Sequence, residues 1–92
     1  MAERYAVPDD LGWVATRRTP APQVTIALLP DGPPFALHGA SAAIWLAVVD
    51  LADPAAVVTR VAEETEQPED VVREGVLGFL EELAGRGFLR PA

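Results

Sequence analysis

Toward the C-terminal end of the chain, Val72, Val76, Phe79, Leu80 and Leu83 recur at spacings of four, three, one and three, which is the pattern of a single apolar stripe along a helix. Pro68 offers a first-turn residue whose φ is already helical. Glu69 and Asp70 put negative charge at the positive end of the helix dipole, and Gly85 and Gly87 around Arg86 permit a left-handed stop. The pattern predicts a helix over 68–84. At about 100° per residue, Val71, Gly75, Gly78 and Glu82 share an adjoining side that is nearly bare of bulk. Each glycine costs roughly 1 kcal/mol relative to alanine in a helix interior, so that side gains something from the missing side chains. Close packing by a strand of the same chain is the simpler reason; a docked peptide is the other.

Earlier in the chain the period is two. Residues 11–17 alternate as a strand, with Trp13 and Ala15 on one side and Val14 and Thr16 on the other, after a lead-in over 1–10 that closes with a Pro8-Asp9-Asp10 turn. Two prolines make 18–22 a connection. Residues 23–29 are rich in β-branched side chains and direct Val24, Ile26 and Leu28 one way. The turn cluster Pro30-Asp31-Gly32-Pro33-Pro34 returns Phe35, Ala36, Leu37 and His38 antiparallel to them. A short strand following two prolines suits a sheet edge. From Gly39 the period changes to that of helices. Residues 40–49 are alanine-rich and apolar on most sides, as an interior helix would be. Asp53-Pro54 is an N-cap acid followed by a first-turn proline, and the helix it opens turns Val57, Val58, Val61 and Ala62 inward before Glu66 and Gln67 form a turn. Phe88 and Leu89 return to the core as a short extended segment. A three-stranded antiparallel meander followed by three helices is an α+β domain, and 92 residues make one such domain.

Composition narrows the chemistry. The absence of cysteine rules out disulfides, thiolate metal sites and a cysteine nucleophile. The apolar run 42–49 is far shorter than a membrane span, and the N-terminus lacks the pattern of a signal peptide, so no membrane partner and a cytoplasmic location are expected. His38 and Ser41 are the only histidine and serine; they stand three apart, but no orienting third group or oxyanion donors accompany them. No metal-ligand spacing surrounds the lone imidazole and no glycine-rich phosphate loop is present, so neither metal, cofactor nor enzymatic activity is expected. The pairs Glu63-Glu64 and Glu81-Glu82 read as solvated charge.

Recognition is what remains. The edge formed by Phe35, Ala36, Leu37 and His38 carries backbone donors and acceptors that another strand can use. If that edge and the bare side of the last helix border one groove, an extended peptide pairs with the edge and sets alternate side chains into a pocket floored by Val71, Gly75, Gly78 and Phe79. Asp70, Glu74 and Glu82 beside it would favour a basic or polar peptide.

The stretch Phe35-Ala36-Leu37-His38-Gly39-Ala40-Ser41-Ala42-Ala43-Ile44-Trp45, the helix opening at Asp53-Pro54, and the run of Val76, Phe79, Leu80, Leu83, Gly87, Phe88 and Leu89 together resemble the PqqD-like family. These are recognition elements for ribosomally made, post-translationally modified peptides. The resemblance spans about 11–89 and implies a winged helix-turn-helix-like fold. It also implies that the leader of a precursor peptide binds as an added strand beside the third strand, against the third helix. Carried over by position, those elements are Phe35 to His38 and the Val71, Gly75, Gly78, Phe79, Glu82 side of the last helix. Proteins of this length resemble the leader-binding half of split lasso-peptide processing proteins, whose partners are a leader peptidase and a cyclase; PqqD itself presents its precursor to a radical enzyme. Family members often place asparagine after the leucine that ends the third strand, where this chain has His38-Gly39.

A winged helix also raises the prospect of DNA binding. Net charge is −7, all seven basic residues are arginines, and within 53–85 nine acidic residues stand against Arg60 and Arg73. DNA recognition draws much of its affinity from neutralising phosphates. A helix with Glu69, Asp70, Glu74, Glu81 and Glu82 against Arg73 repels them, so no nucleic-acid partner is expected.

Overall fold

The computed structural model describes residues 4–16 and 22–92. Strand β1 (Tyr5–Ala6) is followed by a three-stranded antiparallel meander of β2 (Leu11–Thr16), β3 (Gln23–Leu28) and β4 (Phe35–His38) in that spatial order. Three helices follow, α1 (Ala40–Leu51), α2 (Pro54–Thr65) and α3 (Glu69–Gly85), and then β5 (Arg90–Pro91). This is the α+β arrangement expected from the change of period at Gly39. Arg17 and residues 18–21 of the expected connection lie outside the described residues.

Alternation decides the faces of the sheet. Trp13 pairs with Ile26 and Ile26 with Phe35, while Val24 pairs with Leu37, so these side chains share the inner face. Val24, Ile26 and Leu37 are buried there. Val14, Thr25 and Ala36 align on the outer face. The helices close over the inner face, and Trp45 of α1 is fully enclosed, edge-on to Trp13 with ring centroids 6.0 Å apart. α1 is buried on several sides through Ala42, Ile44, Trp45, Ala47 and Val48, as its nearly continuous apolar sequence predicts.

Helix starts and stops follow local chemistry. The Asp53 carboxylate accepts from the Ala55 backbone N–H at 3.3 Å, capping α2, and Val57, Val58, Val61 and Ala62 face the core. Glu66 takes a left-handed conformation (φ 56°), and the N–H of Gln67 donates to the Ala62 carbonyl at 3.0 Å, reversing the chain into α3. α1 begins differently: Gly39, at φ 57°, occupies the N-cap without a side-chain bond, a backbone conformation that glycine adopts readily.

The chain ends depart from expectation. Residues 4–10 are more than a lead-in: β1 pairs with β5, Tyr5 opposite Pro91 and Ala6 opposite Arg90. Phe88 and Leu89 are buried as expected, yet the strand lies just after them. The turn that brings them back runs through Gly87 at φ 83°, and the Phe88 N–H donates to the Leu83 carbonyl at 2.9 Å.

Candidate functional site

In the meander, β4 pairs with β3 on one side and has no paired strand on the other among the described residues, which is the edge position its length and preceding prolines predict. Phe35 and Leu37 point to the inner face. Ala36 and His38 are exposed on the outer one. The backbone groups that alternate residues of β4 direct away from β3 are thus available to an added strand.

The stripe on α3 divides as its spacing predicts. Val76, Leu80 and Leu83 are buried, while Val72 and Phe79 are partly buried along the flank of the core. On the adjoining side, Val71 is 61% exposed, and a Cβ built on Gly75 or Gly78 meets nothing within 4 Å. The expectation of a close-packed strand is therefore overturned: no part of the described chain fills the space those glycines leave. Their bareness opens a surface instead.

That surface is concave. Gly75, Val71 and Phe79 form one wall of a groove of about 440 Å³ and Ala40, Ser41 and Ile44 of α1 form the other. Val61, Thr65 and Gln67 close its end, and no charged side chain lines it. The wall from α1 begins two residues after β4 ends, so the strand runs directly into the groove. At the opposite end of β4, the Phe35 ring lies 5.6 Å from that of Phe88 and 5.2 Å from the Arg86 guanidinium carbon, centroid to atom. The start of β4 therefore sits by the C-terminal end of α3, and its end leads toward the N-terminal half of α3. The strand edge and the groove are joined in sequence through Gly39, while Phe35 and Arg86 share a separate cavity with Phe88.

Of the residues expected to contact a peptide, Val71, Gly75 and Phe79 line the groove. Gly78 and Glu82 share the exposed side of α3 but stand beyond the lining, and Asp70 and Glu74 are exposed further around the helix. Glu82 is also paired: its Oε1 lies 3.8 Å from Arg86 Nη2. The contributions of Ala40, Ser41, Ile44 and Arg86 were not anticipated. Arg86 had a legible signal, since it stands eleven residues, about three helical turns, beyond Gly75 and so on the same side. Another depression of about 440 Å³ lies between α1 and α2, lined in part by Asp50, Arg60, Glu63 and Glu64, and its Arg60 is bound to Asp50 at 3.2 Å. Among the described residues no cluster of histidines and carboxylates could hold a metal ion, and no helix is long and apolar enough to cross a membrane.

No curated protein matches the chain by sequence. Among solved structures it is similar to one described as TbiB1 in complex with the TbiA(beta) leader peptide, at 20% identity and a TM-score of 0.78, over 92% of this chain and 94% of that one. At that identity the likeness establishes the fold. The family profile described as coenzyme PQQ synthesis protein D matches residues 26–89, which runs from the middle of β3 through α3 to the buried Phe88-Leu89 return. On that match, covering more than two-thirds of the sequence, the chain belongs to the PqqD family.

Proposed function

We propose that this protein is a non-catalytic adaptor that binds the leader segment of a ribosomally synthesised precursor peptide. The leader adds as a strand to the free edge of β4 and lays alternate side chains into the groove against α3. The observation that carries this reading is the open, uncharged groove over Gly75, taken together with the unpaired edge of β4: backbone pairing supplies affinity, and the groove supplies selectivity. Family membership supports it, and so does the fold shared with a protein whose structure was solved with a leader peptide. Delivery to a leader peptidase and then a cyclase, as in lasso-peptide biosynthesis, is the pathway we favour. The family match also favours a second pathway, presentation of the precursor to a radical enzyme, as PqqD does.

Fluorescence anisotropy of a labelled leader from the precursor encoded beside this gene, with labelled duplex DNA in parallel, tests the reading. Saturable leader binding with silent DNA supports it. Silence with the leader and salt-sensitive binding to DNA overturns it in favour of a winged-helix regulator. Adding the candidate peptidase or the radical enzyme to the leader complex then separates the two pathways by which enzyme joins it.

A further inference from the structure

The groove is uncharged, but a separate cavity at the start of β4 carries a cation. Arg86 follows α3 as its C-cap with helical backbone (φ −86°, ψ −3°), so it keeps the helix phase and shares the side of Gly75 and Phe79. Its guanidinium lies over the Phe35 ring and borders a second cavity, of about 290 Å³, with Phe35, Phe88 and Pro33. The other arginine of the helix, Arg73, belongs to a different side and pairs with Glu69 at 3.9 Å. Arg86 is therefore a cation placed beside the first residue of β4.

Its donors are available. The nearest carboxylate oxygen, on Glu82, is 3.8 Å away, beyond hydrogen-bond distance, and no described residue accepts a hydrogen bond from the guanidinium. Stacking on Phe35 and attraction to Glu82 hold the group in place while half its surface stays open, at 49% exposure. A planar guanidinium fixed in this way matches a carboxylate through two parallel hydrogen bonds, a geometry that a lysine or a backbone carbonyl does not reproduce.

From this we infer that Arg86 is a specificity-determining residue that takes an acidic side chain of the bound peptide; the inference rests on the leader-binding reading. Register follows from strand geometry. Residues directly opposite one another in a strand pair share a face, so the peptide residue opposite Phe35 points to the inner face and meets Arg86. Peptide residues at even separations from it share that face, and those toward the His38 end run toward α1, whose Ala40, Ser41 and Ile44 line the uncharged groove. The recognised segment therefore carries an acidic residue an even number of positions from a large apolar one. The acid at one end and the apolar side chain at the other fix register and direction, which backbone pairing alone leaves open.

Selection of a displayed library of random linear peptides against the wild type, Arg86→Gln and Arg86→Glu tests the inference, with circular dichroism confirming that each variant is folded. Wild type should enrich Asp or Glu at one fixed even spacing from a large apolar residue. Arg86→Glu should enrich Lys or Arg at that same position and bind the wild-type-selected peptides at least about tenfold more weakly, as expected for loss of a charge-assisted pair. Arg86→Gln, which keeps a long polar side chain without the charge, should keep the apolar preference and lose the acidic one. If all three proteins enrich the same peptides, Arg86 is only a structural cap over Phe35 and the inference is overturned, with peptide binding intact. If the folded wild type enriches no peptide, the leader-binding reading itself fails and the inference falls with it.

Discussion

Two sides of α3 follow opposite rules. One carries Val76, Leu80 and Leu83, none more than 2% exposed, and holds the helix to α2 and α1. The other, starting about a quarter-turn away, carries Val71, Gly75 and Gly78, which touch little. The first side is selected by the protein's own stability, because removing a buried side chain leaves a void. The second is costly to stability, since two glycines sit where alanine would hold the helix better. On the proposed reading, the helix accepts that cost on one face because the bound peptide needs the space.

Substitutions that separate the two sides break or sharpen this contrast. The largest change is expected from Leu80→Ala, which should lower unfolding stability by about 2–5 kcal/mol in chemical denaturation while the folded fraction still binds leader. Next comes Gly75→Leu. It should reduce leader affinity about tenfold or more by filling the groove, with stability unchanged or raised, because the helix gains a better former and the added side chain meets open space. Unaltered affinity would remove that wall from the binding surface. Gly78→Ala should raise stability by roughly 1 kcal/mol and leave affinity close to wild type, since Gly78 lies outside the groove lining. The smallest effect belongs to Glu82→Gln: an exposed pair of this kind contributes a few tenths of a kcal/mol, and its loss should be undetectable in high salt.

Sequence alone carried a reader far on α3, because a stripe that recurs every three or four residues over seventeen positions leaves little choice of face. Asp53-Pro54 announced α2 by similarly local chemistry, and the alternation of Val24, Ile26 and Leu28 announced β3. What stayed hidden depends on distance along the chain. β1 and β5 are two residues each and meet across nearly the whole sequence, so neither has a period to detect. The α1 wall of the groove was hidden for a related reason: Ala40, Ser41 and Ile44 belong to a helix apolar on most sides, and only the packed fold shows which of those positions open onto α3. The glycines were noticed but their simpler explanation was wrong, because a missing side chain signals close approach equally well whether the neighbour is part of the chain or not.

A free strand edge also bears on how the protein behaves in the absence of peptide. Any exposed edge is a template for a second copy of the same chain, and proteins that keep one must keep copies from zipping together. Of the sheet's two edges, β2 is six residues long; the β4 edge is four, bounded by Pro33-Pro34 on one side and by the turn at Gly39 on the other, so a strand pairing with it gains only a few backbone bonds. Each approaching copy also carries a charge of −7. On the proposed reading, the shortness of β4 serves selectivity: pairing with four residues adds little by itself, and the strand that stays is the one whose side chains find the groove.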